Sequence, residues 1–119
     1  MFQPRRGFGG TGFRKYNNKK CVIDGIKFDS LAEGKRYNEL KQLRAIGDIC
    51  DLKVHPRWEF VVGGVRIGRY TADFQYRDRK LETHVEDVKG VKSRDLALRL
   101  NLMKALHGIE VKLITKGRK

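Results

Sequence analysis

Residues 70–76 read Y-T-A-D-F-Q-Y, and residues 83–90 read T-H-V-E-D-V-K-G. In the first stretch Tyr70, Ala72, Phe74 and Tyr76 alternate with Thr71, Asp73 and Gln75, the period of a strand. Asp73 therefore falls inside the most apolar and aromatic strand of the chain, where Asp is disfavoured. In the second stretch Asp87 and Lys89 are two residues apart, so they share a face at roughly 6–7 Å. Glu86 points the other way, with His84 and Val88. A polar turn, Arg77 to Leu81, joins the two strands. If that hairpin is symmetric about Lys80, Asp73 stands opposite Asp87, Gln75 opposite Val85 and Thr71 opposite Lys89. A slip of one residue opposes Asp73 and Glu86 instead. Opposed carboxylates with Cβ atoms about 5 Å apart repel, so either one pKa rises or a cation sits between them. A hard divalent ion is held by one or two carboxylates together with water and phosphate oxygens. Lys89 beside it would neutralise charge developing on a phosphoryl oxygen.

Working outward, Trp58 to Val62 and Val65 to Tyr70 flank Gly63-Gly64, a hairpin signal, and the second arm runs on through Tyr76 as one strand. Ile49 to Val54 is a short strand closed by His55-Pro56, since proline cannot donate to a ladder. Cys21 to Phe28 reads as an N-terminal hairpin turning at Asp24-Gly25. Ser30-x-x-Glu33 has capping-box spacing for a helix reaching Ile46, with Ala32, Tyr37, Leu40 and Leu43 on one side. Glu33 lies within that apolar arc, so it is either the cap partner of Ser30 or a carboxylate turned inward. Ser93 caps a second helix, Arg94 to His107, stopped by Gly108, and a last strand runs from Glu110 to Thr115. This order predicts an α/β fold, a central mixed sheet flanked by helices. The second helix carries Leu96, Leu100 and Met103 on one face and Leu98, Leu102 and Ala105 on another. Either a second copy of the chain or a sheet that wraps further covers the second set.

At 119 residues the chain fits one domain. Its 27 Lys and Arg against 14 Asp and Glu give +13, an excess that points to a polyanionic partner. No apolar run approaches the ~18 residues of a membrane span. The basic N-terminus lacks the apolar core of a secretory signal. Cys21 and Cys50 are too few for a disulfide scaffold or a structural zinc site. A soluble intracellular protein is expected. Residues 1–20 hold Arg5, Arg6, Arg14, Lys15, Lys19 and Lys20 and no acid, among glycines and Phe2, Phe8, Phe13 and Tyr16. They read as a flexible arm for phosphates and unstacked bases, or as a solvated tail, ahead of a folded domain over 21–119. Lys92, Arg94 and Arg99 follow the acidic residues and would grip a phosphate backbone, or are solvated surface charge. His55 reads as packed or turn-forming, and His84 and His107 lack a ligand-spaced companion.

Y-T-A-D-F followed by E-D-V-K-G resembles the signature of the PD-(D/E)XK nuclease superfamily. The resemblance implies a restriction-endonuclease-like αβββαβ core over about Asp29 to Thr115. By position, Asp73 matches the first acid, Asp87 the second, Lys89 the lysine and Glu33 the glutamate of an upstream helix; Glu86 is the alternative second acid. More narrowly, G-I-K-F-D-S-x-x-E, then H-P, Y-x-A-D-F and E-D-V-K-G is similar to a family of short phage and prophage proteins related to Holliday-junction-resolving endonucleases, with Ala72 where the signature has proline. The resemblance implies a Mg²⁺-dependent deoxyribonuclease, with Mn²⁺ able to substitute, in which Asp73, Asp87 and Glu33 hold the metal. Its expected substrate is branched or Holliday-junction DNA in phage replication or recombination. A homodimer is expected, in the cytoplasm of a bacterial host. The alternative on residues alone is a non-catalytic basic DNA- or RNA-binding protein.

Overall fold

The computed structural model describes residues 20–89 and 93–115. The expected arm, with Arg5, Arg6, Arg14, Lys15 and Lys19, lies outside them apart from Lys20, which is exposed. Lys92 and the basic end 116–119 also lie outside. Two compact units divide at residue 35, Met1–Lys35 and Arg36–Lys119.

The first unit holds β1 (Cys21–Ile23), β2 (Ile26–Phe28) and the start of α1 (Leu31–Ala45). Strands β1 and β2 pair antiparallel, with Ile23 opposite Ile26. Asp24 and Gly25 between them have φ of 55° and 78°, the left-handed pair that a two-residue hairpin turn requires. The Ser30–Glu33 cap forms, with the return bond coming from the residue before the cap rather than from Ser30 itself. Ser30 Oγ accepts from the Glu33 amide at 3.2 Å, while Glu33 Oε1 accepts from the Asp29 amide at 3.3 Å.

The second unit continues α1 and adds β3 (Cys50–Val54), β4 (Arg57–Val62), β5 (Val65–Thr71), β6 (Phe74–Arg77), β7 (Thr83–Lys89), α2 (Arg94–Leu102) and β8 (Val111–Thr115). A mixed four-stranded sheet has the order β3-β6-β7-β8, antiparallel except for the β7–β8 pair. Strands β4 and β5 form a separate two-stranded ladder, turning at Gly63-Gly64 with φ of 58° and 81°.

That separation corrects the expected single strand from Val65 to Tyr76, which breaks at Ala72-Asp73. The break has a partner. Val54 pairs with Phe74 on one side of it and Arg57 with Thr71 on the other, so His55-Pro56 stands opposite Ala72-Asp73 in unbroken register. The His55 amide donates to the Asp73 carbonyl at 2.9 Å and the Ala72 amide to the Pro56 carbonyl at 3.0 Å. Pro56 has no N–H to offer, and His55 sits at φ 57°, a left-handed conformation that a strand does not use. The two strands bend together there. Thr71, expected opposite Lys89, pairs with Arg57 instead.

The sheet is covered on both faces within this unit. On one, the rings of Tyr37 and Phe74 stack at 6.4 Å, bringing α1 against β6. On the other, Phe60, Tyr70, Ala72, Val85, Leu96 and Met103 form a buried cluster with Leu100, Leu102 and Leu113 packed around it. Full burial of a side chain of this size contributes roughly 1.5–3 kcal/mol. Helix α2 starts as predicted, with Ser93 Oγ accepting from the Leu96 amide at 3.1 Å. It passes into a π-helical turn, Met103–His107, before Gly108 ends it at φ 68°. Its second apolar side is divided: Leu102 joins the core, whereas Leu98 is 58% exposed. Among the described residues no helix is long and apolar enough to cross a membrane.

Candidate functional site

Strands β6 and β7 pair in the register that a turn symmetric about Lys80 predicts. Phe74 stands opposite Glu86 and Gln75 opposite Val85; Asp73 lies one residue beyond the last paired position, at the bend, where the same register would set it beside Asp87. The Asp73 amide donates to the Glu86 carbonyl at 3.1 Å. Its Oδ2 accepts from the Val88 amide at 2.7 Å, between Asp87 and Lys89. The bend at Ala72-Asp73 thus ties the Asp73 carboxylate to the backbone of β7.

Asp87 is 1% exposed. Its Oδ2 accepts from the hydroxyl of Tyr70. Its Oδ1 is shut from solvent and accepts no hydrogen bond from the described residues, with the Lys89 Nζ 3.6 Å away. Burial pushes the Tyr70 phenol well above its ordinary value, and the charges of Asp87 and Asp73 act in the same direction. The phenol therefore remains a donor. Tyr70, Asp87 and Lys89 line a cavity of about 750 Å³ together with Arg66, Arg69 and Arg99. Arg66 also pairs with Glu59. Arg99 donates to Asp95 at 3.0 Å and to the Arg69 carbonyl, so this expected backbone contact is partly engaged inside the protein. Arg94 is exposed in the first turn of α2.

Glu86 has a different occupation. It is fully buried on the opposite face, where Arg36 Nε and Nη2 donate to its two oxygens at 2.8 and 2.7 Å. The hydroxyl of Tyr76 donates to it as well. Burial works to raise the Glu86 pKa, but Arg36 and Tyr76 outweigh it and hold the carboxyl below its ordinary value. Burial and the bond to Glu86 push the Tyr76 phenol up to about 12. With both oxygens claimed, Glu86 is a structural ion pair, and the face toward the cavity belongs to Asp87.

His55 joins the site by geometry. Its ring and the Asp73 carboxylate each present a ligand atom, within 4.8 Å of one another. From the sequence His55 reads as packed or turn-forming; its φ of 57° fits a turn, and its proximity to Asp73 follows only from the β3–β6 register. His84, read as having no companion, lies with Asp78 and Glu82 in a second group of that size. Asp78 is occupied with closing the β6–β7 turn. Its Oδ1 accepts from the Lys80 and Glu82 amides at 2.8 and 3.0 Å, and its Oδ2 lies 2.8 Å from His84 Nε2. Glu33, in the first unit, is buried at the cap of α1.

These observations define a mixed α/β protein with a buried, cation-rimmed carboxylate site on one face of its central sheet. The chain belongs to the DUF1064 family, proteins of unknown function, whose family model matches residues 13–119. No curated protein and no solved structure matches it.

Proposed function

We propose that this protein is a divalent-metal-dependent endonuclease acting on DNA, with a restriction-endonuclease-like core. The observation that carries the reading is Asp87 Oδ1: a buried carboxylate oxygen without a hydrogen bond, 3.6 Å from a lysine ammonium, in a cavity lined by arginines. A buried anion in that state is costly unless a cation completes its surroundings. Asp87 and Asp73 fit a hard ion such as Mg²⁺ or Mn²⁺, whose preferred donors are carboxylate oxygens and water. Glu33 is a further candidate ligand through the sequence resemblance. When bound, the ion would supply Lewis-acid polarisation of a phosphoryl oxygen and an activated water.

The chain's own groups do the rest. Lys89, 41% exposed beyond Asp87, places positive charge where a phosphate enters and offsets charge developing on its oxygens. The cavity sets four cations, Arg66, Arg69, Lys89 and Arg99, against two carboxylates, Asp87 and Asp95, so it attracts a polyanion. Arg94, Lys20 and the basic residues Arg5, Arg6, Arg14, Lys15, Lys19 and Lys92 extend that attraction along the backbone. Branched DNA in the bacterial cytoplasm, and a second copy of the chain meeting exposed Leu98 so that two strands are cut, belong to the same proposal.

The test is incubation with labelled linear, single-stranded and four-way-junction DNA in Mg²⁺, Mn²⁺ or EDTA. Cleavage that needs the ion, fastest on the junction, is expected. Tight binding with no cleavage in either metal would overturn the nuclease reading in favour of a non-catalytic nucleic-acid-binding protein, for which the charge of +13 already speaks.

A further inference from the structure

The two oxygens of Asp87 differ in circumstance. Oδ2 is held by the Tyr70 hydroxyl, and Tyr70 is itself buried against Trp58, their rings stacked at 6.4 Å. Oδ1 accepts no hydrogen bond from the described residues, and the Lys89 Nζ lies 3.6 Å from it. A second buried phenol and carboxylate, Tyr76 and Glu86, lie on the other face of the sheet. There Arg36 donates to both oxygens, so neither is without a hydrogen bond. Of these two pairs, Tyr70–Asp87 is the one in which the phenol holds one carboxylate oxygen while the other accepts no hydrogen bond from the described residues.

A fixed oxygen constrains how the carboxylate can meet a cation. Mg²⁺ is small, demands near-octahedral geometry and takes carboxylates through one oxygen, whereas Ca²⁺ accepts six to eight donors and often takes both oxygens of one carboxylate. For Asp87 to offer both, Oδ2 would have to give up a charge-assisted bond from the phenol and leave a buried hydroxyl without an acceptor. We propose that Tyr70 is a positioning residue that sets ion selectivity: by holding Oδ2 it presents Asp87 through Oδ1 alone, and so favours Mg²⁺ and Mn²⁺ over Ca²⁺. This rests on the metal reading above and gives a physical reason for the site to distinguish ions of equal charge.

The test measures metal binding directly, by isothermal titration calorimetry of the full chain with MgCl₂, MnCl₂ and CaCl₂ and no DNA. It compares wild type with Tyr70→Phe and Tyr76→Phe. Phenylalanine keeps the ring against Trp58 and removes only the hydroxyl. In Tyr70→Phe the ratio of Ca²⁺ to Mg²⁺ affinity should rise about tenfold or more, the scale of one hydrogen bond to a charged group. In Tyr76→Phe, which also removes a buried hydroxyl bonded to a carboxylate, it should not move. An unchanged ratio in Tyr70→Phe, with binding retained, overturns the role of Tyr70 and leaves the metal reading standing. A wild-type chain that binds none of the three ions overturns the metal reading itself. If Tyr70→Phe does not fold, infrared difference spectra of wild type carrying isotope-labelled aspartate decide the matter. The carboxylate band added by Mg²⁺ and missing in Asp87→Asn should have the splitting of one-oxygen coordination; a two-oxygen splitting overturns the proposal.

Discussion

Arg36 grips Glu86 with two parallel hydrogen bonds, 2.8 and 2.7 Å long, from α1 to the middle of β7. The carboxylate is fully buried while the guanidinium keeps one edge in water and a second partner, Glu39. Glu86→Gln removes the charge and strands Arg36 against the sheet. Breaking a buried pair costs about 3–5 kcal/mol, and the wet edge of Arg36 puts this one at or below the low end. Thermal unfolding should show a fall in Tm of roughly 10 °C. If the proposed function holds, Glu86→Gln protein that stays folded should still cleave, because the pair lies on the face away from the cavity.

The same pair fixes an acid limit. The Glu86 carboxyl is held below its ordinary value of 4.5. Its folded pKa thus lies under its unfolded one. The stabilisation is fully present above the unfolded value and is lost as the pH falls through the folded value. Urea midpoints measured from pH 6 down to pH 3 should drop more steeply in wild type than in Glu86→Gln, and parallel curves would remove Glu86 as a source of the acid sensitivity.

Asp73→Asn and Asp87→Asn test the site with little disturbance to the fold. Asparagine keeps an acceptor for the Val88 amide in the first case and for the Tyr70 hydroxyl in the second. Each should lower cleavage by about a hundredfold or more, the equivalent of a few kcal/mol of lost transition-state stabilisation. On the proposed function, DNA affinity should stay equal or increase, since each substitution removes negative charge from where a phosphate would bind. A folded and fully active Asp73→Asn would sink the site assignment.

The pairing of Phe74 with Glu86 was legible because the turn about Lys80 is short and the side-chain period of a strand leaves one parity for each choice of register. The bend at Ala72-Asp73 was not. Ala72 and Phe74 are both buried, so the apolar alternation passes through the bend unchanged. Its cause sits on the opposite strand, where Pro56 lacks a donor. His55 and Arg36 were missed for a related reason: each meets its partner only through long-range pairing. Arg36 and Glu86 are 50 residues apart, and a charged residue on a helix reads by default as solvated. Helix caps and glycine turns depend on neighbours within a few residues, and there sequence and structure agree.

Gly34 occupies the first turns of α1 where glycine costs about 1 kcal/mol in helix propensity relative to alanine. Space explains it. A Cβ there would come within 2.7 Å of Cys21 Sγ and 3.0 Å of Ile23 Cδ1, so β1 packs directly on the helix backbone. Gly34→Ala would gain the propensity and lose more, since overpacking typically costs about 1–3 kcal/mol. A net destabilisation of roughly 1 kcal/mol is expected in urea titration. Adding Cys21→Ala should recover part of it, and a double-mutant cycle without coupling would show that the contact is not the cause.

Lys89 separates attraction from catalysis. It is substantially exposed, and among the described residues its ionic contact is to Asp87 Oδ1 at 3.6 Å, so Lys89→Ala should fold normally. As a phosphate clamp alone it would contribute about 0.9 to the slope of log K against log[salt] on duplex DNA and little else. As the group that offsets charge on the phosphoryl oxygens it acts more strongly in the transition state than in the ground state. Single-turnover cleavage should then slow by about a hundredfold to a thousandfold, the scale of a lost oxyanion donor, while affinity changes by no more than one phosphate contact. Lys89→Arg keeps the charge but spreads it over a planar fork that cannot reproduce a compact ammonium, so it should bind DNA like wild type and recover only part of the rate. Equal losses in rate and affinity for Lys89→Ala, with full recovery of both by arginine, would reduce Lys89 to a contact with the backbone.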